Sequence, residues 1–149
     1  MAKKVDLEPI AQEVIDEARM VLPGIQALFG FQLIAVFNER FHSLDSPEQD
    51  LHYAALVLVA VAIAVIMTPA AYHRIVEQTS VSEFFIRLAS WLIAAAMVPL
   101  MTAIAFESYV VGVALFGRGM LSIGISAALF CLFAGLWFVL PFSMRRSRQ

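Results

Sequence analysis

Apolar residues recur at steps of three and four near the start of the chain: Leu7, Ile10, Ala11, Val14, Ile15 and Ala18. At about 3.6 residues per turn they fall on one stripe, opposite Glu13, Asp16 and Glu17. This spacing predicts an amphipathic helix over residues 6–20, lying at the bilayer interface or packed on its own bundle. Pro23-Gly24 is expected to bend the chain after it. Beyond that point the pattern changes to long apolar runs. A membrane-crossing helix needs about 20 mostly apolar residues. Four segments qualify, over residues 21–38, 51–72, 86–107 and 119–142. The first is the weakest and carries Gln26 and Gln32; the second is wholly apolar from 54 to 67. The third belongs to an apolar run over 88–116, roughly 43 Å as helix against about 30 Å of hydrocarbon. It is expected to end near Glu107, leaving 109–116 as an interfacial or partly re-entrant link. Gly112, Gly117 and Gly119 make a break there easy. Ser80-Val81-Ser82-Glu83 fits a capping box and places the helix start near Val81. The reading is all-α: one integral membrane domain over 1–149, a four-helix bundle with an N-terminal amphipathic interfacial helix.

Composition strengthens this reading. Of the residues, 61% are hydrophobic and 15% charged, against roughly 45–50% and about 25% in soluble domains. The net charge of −2 and the lack of any basic block exclude a nucleic-acid partner from the expectation. A single cysteine, Cys131, can form neither an internal disulfide nor a cysteine-rich metal site. The first residues carry charge without an apolar core, so no secretory signal is expected there.

Charge also sets an expected orientation. Lys3, Lys4, Arg19, Arg74, Arg87, Arg145, Arg146 and Arg148 fall on one side of the four spans, Arg40 and Arg118 on the other. The positive-inside rule then puts both termini in the cytoplasm and the protein in the cell (inner) membrane. Tyr72 and Trp91 would lie near the inner interface, Tyr53 and Tyr109 near the outer.

Glu107 is the acid with the most apolar surroundings. Inside the bilayer it would be a proton or cation site; at the outer interface it would be an ordinary helix-end acid, with Arg118 as a partner on the same side. Gln26 and Gln32 point about 120° apart on a helix, so each is expected to hydrogen-bond a neighbouring helix separately. His52 and His73 sit at opposite ends of the second span, about 31 Å apart. His42 and His52 share the outer side with Glu39, Asp45, Glu48 and Asp50, which read as solvated polar residues rather than a metal cluster. No metal and no cofactor is expected. In the stretch PAAYHR, Pro69 would kink the end of the second span, Tyr72 would join the aromatic belt and Arg74 would fix the cytoplasmic side. His73 remains, either capping the last carbonyls or serving a proton-linked role at the bundle's mouth. Ser122, Ser126, Gly124 and Ala128 make small-residue steps suited to close helix approach, within the bundle or between copies. No nucleophile–base pair, phosphate loop or metalloprotease motif occurs, so enzymatic activity is not expected.

The stretches EARMVLPGIQALFGFQL, ERFHSLD, HYAAL and PAAYHR, together spanning Glu17 to Arg74, resemble an uncharacterised bacterial membrane family of unknown function. The matching positions include Glu17, Arg19, Pro23, Gly24, Gln26, Phe31, Gln32, Arg40, Phe41, Tyr53, Pro69, His73 and Arg74. The resemblance implies a small four-span protein, and some members carry a sodium/proton antiporter label. Candidate polar sites are therefore Gln26, Gln32, Arg40, His73, Arg74 and Glu107. Two function classes stand. One is an ion- or proton-handling permeation or transport protein in the lipid bilayer, as a homo-oligomer or with a membrane protein partner. The other is a non-catalytic accessory or structural subunit of a larger assembly. The direction in which Gln26, Gln32 and Glu107 point separates them.

Overall fold

A computed structural model describes residues 7–77 and 81–147. Every regular element among them is helical: α1 (Glu8–Ala35), α2 (Glu39–His42), α3 (Ser46–Val76), α4 (Glu83–Phe116), α5 (Met120–Ala134) and α6 (Leu140–Arg146). A π-helical turn, Gly135–Val139, joins α5 to α6, so Met120–Arg146 forms one rod. This rod, α1, α3 and α4 are each long and apolar enough to cross a membrane, and they assemble into the expected helical bundle. Large apolar side chains such as Val61, Trp91, Val98 and Leu132 face outward, as suits a chain whose surroundings are lipid rather than water.

Two expected breaks are absent. α1 runs unbroken through Pro23-Gly24, so the amphipathic stretch is the first part of the first spanning rod, not a separate interfacial helix. It packs on the bundle: Ala11 is buried with Phe85 and Ala89, and Val14 and Ile15 lie against them. Pro23 removes one backbone hydrogen bond, whereas ending the helix there would strip partners from several groups at once. Leu22 and Ile25 on the same turns are anchored in the core. α4 likewise continues past Glu107 to Phe116. Residues 109–116 are its last turns rather than a link, and Gly112 is helical and buried. At 34 residues the helix is about 51 Å long, so it must tilt or project beyond the hydrocarbon. The break falls at Gly117, whose φ of +79° suits glycine alone. α3 also continues through Pro69, ending at Val76.

The cap of α4 is Ser82, not Ser80, which lies outside the described residues. The Ser82 hydroxyl accepts from the Phe85 N–H at 3.1 Å. Glu77, just past the end of α3, accepts from the Ser82 N–H at 2.9 Å and from its hydroxyl. The hydroxyl bond, then the N–H bond, hold the Glu77 carboxyl below the usual carboxylate range.

The core is a seam with a regular step. The buried residues of α3 are Glu48, His52, Ala55, Val59, Ala62, Ile66 and Pro69, at alternating steps of four and three. Those of α4 include Ala89, Ile93, Ala96, Leu100 and Ala103, with the same alternation. A period near 3.5 keeps one face of each helix against its partner, and alanine at every second position lets the backbones approach closely. α1 meets this pair with a sevenfold step: Ala11, Ala18, Ile25 and Gln32, all but Ala18 fully buried. α5 docks on α4 where Gly112 faces Ser122.

Candidate functional site

The three seams turn polar at the same end of the bundle. One heptad step beyond Ile25 lies Gln32; one step before Ala55 lies His52; one step beyond Ala103 lies Glu107. These three side chains meet. Gln32 Nε2 donates to Glu107 Oε1 at 2.7 Å. His52 Nδ1 lies 3.0 Å from Glu107 Oε1 and 3.2 Å from Oε2. On the other side of the ring, His52 Nε2 lies 3.1 Å from the backbone carbonyl of Gln32. Gln32 and His52 are each 3% exposed, and the Glu107 side chain 16%.

Local structure fixes the imidazole. Asn38 caps the short α2, its side chain accepting from the Arg40 N–H at 2.9 Å. Gln49 on α3 donates to the Leu44 carbonyl at 2.9 Å and reaches the Phe41 carbonyl, pinning that turn down. The turn in its place sets the Phe41 ring edge-on to His52, centroids 4.9 Å apart.

The ring lies between two acceptors. A carbonyl oxygen only accepts, so the Nε2 contact is a hydrogen bond when Nε2 carries hydrogen. Nδ1 then faces the Glu107 carboxyl. Either Nδ1–H donates to a carboxylate, or a protonated carboxyl donates to the bare Nδ1. Both forms hold one proton between the two groups and leave the pair with no net charge. Removing that proton leaves the ring one hydrogen for two acceptors, so one of its two contacts is lost. Gln32 tightens the arrangement. Its amide N–H₂ is committed to Glu107, so its Oε1 turns away and is buried with no hydrogen-bond partner.

A cavity of about 210 Å³ gives access to the pair. His52 and Glu107 line it with Asn38, Arg40, Phe41 and Leu44. Below the pair the seam between α3 and α4 is apolar and closed, with Ala55, Val59, Ala62, Ala96 and Ala103 all at 0% exposure.

One turn before His52, Glu48 is buried and holds Arg118 of the α4–α5 turn through two bonds, at 2.7 and 2.6 Å. Asp45 joins at 3.2 Å. The Glu48 carboxylate holds the Arg118 guanidinium above its already high ordinary value. Arg118 is thus Glu48's partner, rather than Glu107's as the sequence invited. Of the six candidates, Arg40 and Glu107 line this cavity, and Gln32 joins them through its bond to Glu107. Gln26 is exposed on the outer face of α1, away from it. His73 and Arg74 lie at the opposite end of α3, lining another cavity with Arg19. His52 and Glu48 read as solvated in sequence because they sit among loop acids, whereas both are buried; the continuing four-three step from Ala55 is the signal that finds them.

A family model described as a family of unknown function, DUF6328, matches residues 6–141, and the chain belongs to this family. No curated protein and no solved structure matches the chain.

Proposed function

We propose that this DUF6328 member is a proton-handling transport protein of the cell (inner) membrane, with no enzymatic activity, whose exchangeable proton sits between His52 and Glu107. The observation that carries this is the double commitment of His52, with Nε2 on a carbonyl and Nδ1 on the Glu107 carboxyl. Intramembrane acids without a function are costly to keep, and this one is reached through a cavity rather than sealed. Among the described residues, Arg19, Arg74, Arg87, Arg145 and Arg146 lie toward one end of the rods and Arg40 and Arg118 toward the other. By the positive-inside rule the cavity faces outward and both termini face the cytoplasm.

Proton entry into liposomes containing a pH-sensitive dye, under an imposed potential, tests the reading. Wild-type vesicles acidify faster than empty ones, and Glu107→Gln and His52→Phe lose that excess. Wild-type entry equal to that of empty liposomes overturns proton transport. A non-catalytic subunit role is then the reading that stands. It is favoured by the Met120–Arg146 rod, which has none of its most apolar window buried and offers an extended apolar face.

A further inference from the structure

The end of the bundle opposite His52 and Glu107 carries a second construction. Arg19 on α1 and His73 and Arg74 on α3 line a cavity of about 310 Å³ with Ile15 and Ala70. A second cavity, about 350 Å³, shares Ala70 and Arg74 with the first. Its other lining residues, Met67, Ala71 and Ile75, are apolar. A basic pocket therefore runs directly into an apolar groove along α3.

The two halves ask for one amphiphilic ligand. Two guanidinium groups present positive charge and N–H donors, the chemistry that recognises a phosphate, and the imidazole stands beside them. The groove beside them offers only methyl, methylene and thioether surface, the chemistry that receives an acyl chain. Both lie toward the end of the spans that carries Arg19, Arg74, Arg87, Arg145 and Arg146, which the orientation proposed above sets at the depth where headgroups meet hydrocarbon. Long basic side chains there keep their stems in apolar surroundings and their charges at the headgroups. One Arg19 nitrogen contacts Asp16 at 3.1 Å on the exposed face; the guanidinium has five N–H donors, so one such contact leaves most of its capacity. His73 is half-buried, its ring 5.4 Å from that of Phe85, which fixes one wall of the pocket. We infer that the groove between α1 and α3 at Arg19, His73 and Arg74 is a binding site for an anionic phospholipid, phosphate in the basic pocket and one acyl chain against Met67, Ala71 and Ile75.

The purified protein in maltoside detergent, melted while its tryptophan emission is followed, gives the test. Added phosphatidylglycerol raises the wild-type melting temperature, and phosphatidylcholine at the same concentration raises it much less. Arg19→Gln/Arg74→Gln needs about twenty-five times more phosphatidylglycerol for the half-maximal shift, each basic group at a membrane surface contributing about a fivefold factor. Arg87→Gln, which removes a charge from the same end but from an exposed pair with Glu83, leaves the titration unchanged. Should the double variant fail to fold, Ala70→Leu fills the shared wall at an exposed position without altering charge, and it too weakens the phosphatidylglycerol shift. Equal shifts from the two lipids, or an undiminished shift in both the double variant and Ala70→Leu, overturn the site. Inorganic phosphate or glycerol phosphate reproducing the full shift overturns the lipid assignment in favour of a soluble anion.

Discussion

At the scale of single residues, Glu107 does two separable things: it accepts a hydrogen bond from Gln32 and it meets Nδ1 of His52. Glu107→Gln keeps the first and replaces the second. The amide oxygen accepts from Gln32, and the amide N–H donates to the bare Nδ1 of a neutral His52, so the melting temperature stays near that of the wild type. Glu107→Leu takes the partner from both His52 Nδ1 and the Gln32 amide, each on a buried residue, at about 1–3 kcal/mol for each unsatisfied group. Thermal denaturation of the two variants in detergent checks the difference; equal losses would mean that the hydrogen bonds contribute nothing and the carboxyl acts only by its volume. Glu107 and Gln32 stood out in the sequence because each is a polar residue inside an apolar run. His52 did not, because it is the second residue of its run, just after Glu48, Gln49 and Asp50. Hydropathy sees a boundary there. Only the packing shows that the boundary turns inward on one face, so that Glu48 and His52 are buried while Asp50 and Tyr53 are exposed.

At the scale of elements, the number of rods was legible and their ends were not. Proline and glycine are strong breakers in water, where a freed carbonyl finds a solvent partner; in hydrocarbon it finds none, so the helix continues. That is why α1 passes Pro23, α3 passes Pro69 and α4 passes Pro99 and Gly112. The four-three step of α3 and α4 was also present in the sequence, masked by alanines and valines on every other face. Gly112 serves contact rather than flexibility. A Cβ there would lie 3.0 Å from the Ser122 Cβ and 3.2 Å from its Cα. Backbone is part of that clash, so a rotamer change does not relieve it. Gly112→Ala therefore pushes α5 from α4 and destabilises by about 1–3 kcal/mol. Gly124, on α5, has open space where its Cβ would go. Gly124→Ala gains helix propensity, up to about 1 kcal/mol. Denaturation of the two variants under one condition should give shifts of opposite sign, and a shared sign would remove the close-approach account of Gly112.

At the scale of the whole molecule, the feature that decides mechanism is that the polar site lies near one end and the seam beneath it is closed. A continuous pore would place polar or water-lined positions along the bundle; here Ala55, Val59, Ala62, Ala96 and Ala103 are packed with no exposure. A proton bound at Glu107 thus returns to the side it came from unless the helices carrying Gln32, His52 and Glu107 move apart. On the proposed transport reading the pair supplies the coupling, since losing its proton costs His52 of α3 either its bond to Glu107 of α4 or its bond to the Gln32 carbonyl of α1. Access should therefore be one-sided in the resting protein. With the exposed Cys131 replaced by alanine, a cysteine at Ala114, which lines the cavity, reacts with a membrane-impermeant thiol reagent added outside intact cells. A cysteine at Ala103, on the closed seam, reacts from neither side. Labelling of Ala114→Cys only in inverted vesicles would reverse the orientation drawn from the arginines, and ready labelling of Ala103→Cys would mean that water already reaches below the pair. On the proposed transport reading, one-sided access sets the pace at that of a helix rearrangement, not of a channel, so flux is expected to saturate as the proton gradient rises.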